Sequence, residues 1–336
     1  MIKTTISFAD NAIKSTVNDA LSQVLNSMRI SGSLLLDEKY QTPWAVSVPS
    51  SNTLNHLLET TTNTRIAAFH LVKRGHITIT LDNGESALVE AGEMVVCFSG
   101  LGHTLSQGKG SATISFEDIM SGENNIFEPK GNEQSPCTSL VCGVFLLHDA
   151  LLNPLLSALP NILKFSVTNP NEHPRLYGVV NLMVQEFQYQ TVGNSFVLQR
   201  YLEILCAEAV RAHVDSLPGQ SIGWLSALKD PVIGRAIEIF HAEPGYKWSV
   251  KSLADKVTIS PSRFAARFSE TLGEPPMVYI TKWRMYLASQ MLDGNQLSID
   301  QIATDVGYES MAAFSRAFKR HVGLPPATWR AASLSK

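Results

Sequence analysis

The sequence predicts an α+β chain of several domains, β-rich at first and all-helical at the end. Three observations predict it. Short β-prone runs alternate with tight turns between about residues 33 and 144, two apolar helical patterns follow, and one short pattern occurs twice in the last hundred residues. At 336 residues the chain is too long for one ordinary domain, and two or three are expected.

The elements follow in order. Residues 15–30 carry apolar side chains at helical spacing (Val17, Leu21, Val24, Leu25, Met28), with Asn18 or Ser15 as the cap. The runs 45–48, 66–72, 76–81, 94–98, 112–116 and 140–147 read as strands, separated by turns such as Asp82-Asn83-Gly84. That rhythm argues for a β-sandwich or a small barrel. Residues 177–187 and 196–206 read as helices around a turn at 191–194. Their apolar content fits either a simple structural pair or a dimer contact. The divisions are a β-rich domain over 1–160, a helical and candidate dimerisation segment over 161–217, a linker over 218–229 and an all-α domain over 230–333.

The repeat lies in that last domain. Leu253-Ala254-Asp255-Lys256-Val257, a turn and the run 262–268 are matched by Ile302-Ala303-Thr304-Asp305-Val306, a turn at Gly307 and the run 312–318. Phe264, Phe268, Gly273 and Pro276 recur 50 positions later as Phe314, Phe318, Gly323 and Pro326. Each copy reads as helix, turn, helix, closed by a Gly and prolines that forbid continuation. Two such units suggest insertion into two adjacent major-groove segments of double-stranded DNA. Residues 278–292 read as one long helix that fixes the distance between them.

Composition sets the bounds. Hydrophobic residues make up 44% and charged residues 17%, as in a globular protein with a real core. No apolar run reaches the length of a membrane span and no secretory leader pattern opens the chain, so a cytoplasmic protein is expected. The net charge of −3 is uneven: from Asp230 onward there are 13 Lys and Arg against 10 Asp and Glu, and before it 14 against 20. A mildly basic C-terminal part suits phosphate contacts. The four cysteines, Cys97, Cys137, Cys142 and Cys206, read as buried small hydrophobes, with a metal reading open for Cys137 and Cys142.

The stretch from Asp230 to Ala331 resembles the DNA-binding domain of AraC-type (AraC/XylS) transcription regulators. The carrying residues include Trp248-Ser249-Val250, Ser260-Pro261-Ser262-Arg263-Phe264, Val306-Gly307-Tyr308-Glu309-Ser310, Phe314-Ser315-Arg316-Ala317-Phe318 and Gly323 with Pro325-Pro326. One departure is Thr258, in the turn where the second copy has Gly307. The first 150 residues look like the cupin-type sensor domain of a subset of these regulators, through Trp44, His70 to Gly75, and Gly92 to His103, with Phe98 where Pro is usual. The resemblance implies an N-terminal cupin-like β-barrel with dimer-type helices and a C-terminal domain with two helix-turn-helix units. It implies promoter DNA, a small-molecule effector and, for an activator, RNA polymerase as partners; a homodimer is expected from the apolar helices over 177–210.

Helical spacing divides the faces. Phe264, Phe268 and Leu272 form one stripe of the first recognition helix, opposite Ser262, Arg263 and Ala266, with Arg267 to one side. In the second, Phe314 and Phe318 are the core stripe. Ala312, Arg316 and Lys319 lie opposite, with Ala313 and Arg320 beside them. Arg316 is the expected base reader because a guanidinium can grip guanine O6 and N7 bidentately. Lys319, Arg320 and Arg267 are expected at phosphates, where charge matters and sequence does not.

For the barrel, Trp44, His70 and His103 are the candidate effector-pocket residues, with Trp44 reading more as a barrel plug than as a ligand stacker. No cofactor is certain. A divalent metal such as zinc has His103, Cys137 and Cys142 as candidate ligands, with His70 nearby in type. The usual cupin His-x-His pair is missing, since Leu71 and Val72 follow His70. The competing reading is a metal-dependent cupin enzyme with an attached DNA-binding domain. A repair protein with a nucleophilic Cys is more remote, because no cation adjoins Cys137.

Overall fold

The computed structural model describes residues 19–60, 64–109, 111–121, 137–148, 152–189, 191–218, 222–294 and 297–334. Its first helix, α1 (Ala20–Ser27), starts later than its apolar spacing suggests. Asp19 caps it by accepting from the Ser22 N–H; Asn18 and Ser15 lie outside the described residues.

The strands form two five-stranded sheets. In the first the order is β1 (Ile30–Gln41), β9 (Cys137–Leu147), β3 (Arg65–Arg74), β6 (Glu93–Cys97) and β10 (Leu163–Ser166). In the second it is β5 (Ser86–Glu90), β4 (His76–Leu81), β7 (His103–Gln107), β2 (Trp44–Val48) and β8 (Thr113–Ser115). The described strands therefore make two separate sheets, where the resemblance implied a single closed barrel. Side-chain alternation explains the stacking. On β9, Leu140, Cys142 and Val144 join the core between the sheets, whereas Val141, Phe145 and Leu147 face a second core under the helices. On β4 only one face is buried, and every second residue of His-Ile-Thr-Ile-Thr-Leu is exposed.

Three short helices border this domain: α2 (Ser51–Leu57), α3 (Phe116–Ser121) and α4 (Pro154–Ala158). After β10 come α5 (Pro174–Tyr189) and α6 (Asn194–Ser216), the two helices anticipated from the apolar spacing. Helix α6 lies against β1 so closely that a Cβ on Gly32 would sit 2.9 Å from the Leu202 Cβ. Because β10 pairs with β6, the segment over 161–217 contributes a strand to the first sheet as well as helices.

The all-α domain opens with α7 (Trp224–Ala227), inside the stretch expected as linker, with Trp224 and Leu225 buried. It continues with α8 (Ile233–Ala242), α9 (Val250–Lys256), α10 (Pro261–Leu272), α11 (Pro276–Gly294), α12 (Ile299–Asp305), α13 (Met311–Val322) and α14 (Pro326–Leu334). Ser249 and Ser298 begin α9 and α12 with reciprocal capping boxes. Ser260 and Ser310 cap α10 and α13, which stop at Gly273 (φ 78°) and Gly323 (φ 92°). Phe264, Phe268, Phe314 and Phe318 are all buried, each contributing roughly 1.5–3 kcal/mol. The first unit shares a continuous apolar core with the β-domain, through α1, α4 and α6; the second has its own core around Met285, Ile302, Phe314 and Phe318.

The departure at Thr258 has a physical cost. It adopts φ 58° in the turn between α9 and α10, where the matching Gly307 has φ 87°. A β-branched residue is strained there. Thr258→Gly is expected to raise stability by about 1 kcal/mol, read as a higher thermal midpoint of the whole chain.

Candidate nucleic-acid interface and inner chamber

The two second helices of the repeated units, α10 and α13, bury their Phe stripes and leave the opposite face to solvent. Ser262, Arg263 and Ala266 are exposed on α10; Ala312, Arg316, Lys319 and Arg320 are exposed on α13, with Ala313 half-buried. Among the described residues no carboxylate lies within ion-pair distance of Arg263, Arg316, Lys319 or Arg320. Three basic residues, Lys319, Arg320 and His321, also fill the last turn of α13, where they complement the helix dipole.

Arg267 is the exception. Its Nε donates to Asp230 Oδ2 at 2.9 Å and its Nη2 lies 2.8 Å from the same oxygen. Asp230 Oδ1 in turn accepts the Val232 and Ile233 N–H groups at the start of α8. These bonds hold the Asp230 carboxyl below its ordinary range, against burial, which raises it. Arg267 thus ties α10 to α8, and the phosphate contact expected of it would have to break this pair. Arg284 has a similar structural role, donating to the Pro244 and Tyr246 carbonyls.

Between the two sheets lies a small chamber. Its walls are Leu35, Leu36 and Tyr40 of β1, Val46 and Val48 of β2, Ala68 and His70 of β3, Leu105 of β7, and Cys142, Gly143 and Val144 of β9, with Leu54 and Phe116 from the short helices α2 and α3. The free volume is about 20 Å³, room for one water or a methyl-sized group. Strand register places His70 directly opposite Cys142. His70 Nδ1 lies 3.0 Å from Cys142 Sγ, and its Nε2 lies 2.9 Å from His103 Nε2. Trp44 does not line the chamber; it stacks on Tyr40 at 4.4 Å and donates to Thr138 Oγ1.

Two proton arrangements satisfy this chain: either His103 donates to His70 and His70 to the sulfur, or the thiol donates to His70 and His70 to His103. Both keep the rings neutral. Burial drives His70 well below its ordinary value, reinforced by the neighbouring His103. Burial lowers His103 to about 4, opposed by the Leu101 carbonyl and the Asp82 carboxylate, and pushes the Cys142 thiol up to about 12.

The metal candidates are not brought together. Cys137 and Cys142 are five residues apart on β9, so their side chains point to opposite faces roughly 16 Å apart along the strand. Both nitrogens of His70 are engaged, and among the described residues no group of three or more His, Cys, Asp or Glu is arranged to hold a metal ion. The donors present do not fit the zinc site expected from His103, Cys137 and Cys142.

The neutral pair has a pH consequence. Below about pH 6.5 the unfolded chain binds protons that the folded His103 does not, so stability falls as pH drops and the loss is complete near pH 4. The expected loss from His103 is about 3 kcal/mol across that window, measured by denaturant unfolding at a series of pH values. His103→Phe is expected to reduce the slope, leaving the part due to the buried His70 and His241.

Comparison with known proteins completes the picture. The cupin family profile matches residues 19–215, more than half of the chain, and a helix-turn-helix domain profile matches 253–332. The HTH-type transcriptional regulator AlkR of Acinetobacter baylyi is 30% identical over 316 residues, covering 93% of this chain and 99% of that one. A putative AraC-like transcription regulator of Streptomyces lividans is 28% identical, covering 79% and 87%. The RCS-specific HTH-type transcriptional activator RclR of Escherichia coli is 30% identical, covering 57% and 68%. Two capped helix-turn-helix units behind a β-rich cupin domain, matched by relatives over nearly the full length, make this chain a member of the AraC-type family, a DNA-binding transcription regulator.

Proposed function

We propose that this regulator reads promoter DNA through the exposed faces of α10 and α13 and is controlled by a small molecule held between the sheets of its cupin domain. The observation that carries the DNA-reading part is the pair of capped helices whose buried Phe stripes leave Arg263, Arg316 and Lys319 on the outside. Arg316 reads a base, Lys319 and Arg320 hold phosphates, and Arg263 and Ser262 serve the first half of the site. Duplexes selected for tight binding are the substrate for the test, titrated across a salt series. Arg316→Ala should cost about 1–3 kcal/mol on the preferred duplex and relax its sequence preference. Lys319→Ala should weaken all duplexes alike and reduce the salt slope by about one. Arg267→Ala should lower stability and leave that slope unchanged; equal slopes for all three variants would overturn the assignment.

The chamber supports an effector without charge. Its lining is hydrocarbon apart from Tyr40, His70 and Cys142, and the His70 ring nitrogens already face Cys142 and His103. Nothing charged lines it, so a sugar phosphate or a carboxylate would lose its hydration without compensation. A neutral apolar effector instead gains by burial, displacing Leu54 of α2 and Phe116 of α3, the two walls that no sheet holds. Benzene at millimolar concentration is expected to raise the thermal midpoint and arabinose to leave it unchanged; the reverse result would refute the apolar reading.

Helices α5 and α6 support homodimer formation. Leu182, Tyr189, Phe196 and Ile204 are exposed on them, and Val192 lies exposed in the turn between. Sedimentation at micromolar concentration is expected to give twice the 36.8 kDa chain mass. A mass of one chain would sink the dimer.

A further inference from the structure

One buried hydroxyl joins the two halves of the molecule. Tyr286, at the middle of α11, is fully buried. Its OH accepts from Asn153 Nδ2 at 2.9 Å and from Gln290 Nε2 at 2.8 Å, and lies 3.0 Å from Ser27 Oγ. The Ser27 hydroxyl donates to the Val24 carbonyl, so it receives the Tyr286 proton. The phenol thus accepts from both amides and donates to the Ser27 hydroxyl. Asn153 is itself locked, since its Oδ1 accepts the Leu155 N–H and caps α4. Gln290 also donates to the Ser27 carbonyl.

The positions of these partners give the hydroxyl its meaning. Ser27 ends α1, just ahead of β1, and Asn153 follows β9. Those two strands are hydrogen-bonded to each other, and their ladder ends at the pair Ile30 and Leu147, on the side of the Tyr286 contacts. The same two strands supply Leu35, Leu36, Tyr40, Cys142 and Val144 to the chamber wall. Beyond Tyr286, α11 carries Tyr279 and Trp283 into the core of the first DNA-reading unit and Met285 and Leu292 into that of the second. A shift of the β1–β9 ladder reaches the helix that spaces both recognition helices through this bonded group, together with the Gln290 bond to the Ser27 carbonyl and the shared apolar core.

We propose that Tyr286 is the positioning residue through which the state of the chamber sets DNA affinity. This rests on the reading of the chain as effector-controlled. The buried hydrogen bonds make the contact directional, so the helix follows these partners, and the apolar core around them adds to the hold. The coupling is a free energy shared between chamber and DNA site, and it is measurable without knowing the effector.

The test is a double-mutant cycle on the full chain, read as Kd for its selected duplex. Val144→Ile adds one methylene to the chamber and stands in for occupancy. Tyr286→Phe removes the hydroxyl and keeps the ring; Ser27→Ala removes only its acceptor and serves if the Phe variant folds poorly, with thermal melting as the check. Val144→Ile is expected to shift Kd about fivefold in the parent chain and by less than about twofold in the Tyr286→Phe or Ser27→Ala background. The same shift in all three backgrounds would overturn the role of Tyr286 and leave the effector reading standing. No shift in any background would remove the effector reading, and this proposal with it.

Discussion

Helix α11 has to satisfy two cores at once, and the DNA-reading half depends on that constraint. Tyr279, Ile280, Trp283 and Tyr286 face the core shared with the first unit, while Met285, Ala288 and Leu292 face the core of the second. A helix buried on nearly every side cannot rotate about its axis without opening a cavity, at a cost of several kcal/mol for a large side chain. The spacing of α10 and α13 is thereby held by packing. The turn before α9 adds a second brace. Gly245 lies against the Asp305 carbonyl so closely that a Cβ there would approach it to 2.5 Å, and Arg284 bonds the carbonyls on either side of that glycine.

Charge has a smaller part in the architecture than in recognition. The ion pair Arg267–Asp230 ties two helices together, and Lys282–Glu274 and the helical pairs Arg200–Glu203 and Arg211–Glu208 lie at the surface. Exposed pairs of this kind contribute little to stability. Arg263, Arg316, Lys319 and Arg320, without carboxylate partners among the described residues, are on the outward faces of α10 and α13. A protein with net charge −3 can still hold DNA, because local placement decides phosphate contact and the overall sum does not.

The sequence made the repeated helix-turn-helix units legible nearly residue by residue, because capping serines, Phe pairs and stop glycines are local signals. The same holds for β4, whose alternation is strict. The cupin half was less transparent. Strand β1 carries little local signal because Gly, Ser and charged residues interrupt its apolar ones, and it is stabilised by pairing with the distant β9. The contact of His70 with Cys142 is set by register between distant strands, which no local pattern encodes. Arg267 looked like a phosphate ligand because spacing shows which face a side chain occupies and cannot show that Asp230 waits there. The closed barrel implied by resemblance gave way to two sheets, since the ladders observed pair strands only within each.

The shared core between the cupin domain and the first helix-turn-helix unit bears on how such proteins diversify. Trp224 and Leu225 pack in a core that also contains Leu155, Leu156 and Leu205 from the other half. A recombination event within 218–229 would therefore sever apolar surface from its complement and leave both products sticky. New pairings of sensor and DNA reader become viable only when α1, α4 and α7 travel together or the seam is rebuilt. Inheritance of the two halves as one unit, with change concentrated in the chamber lining and the outward helix faces, is the evolutionary path this seam favours.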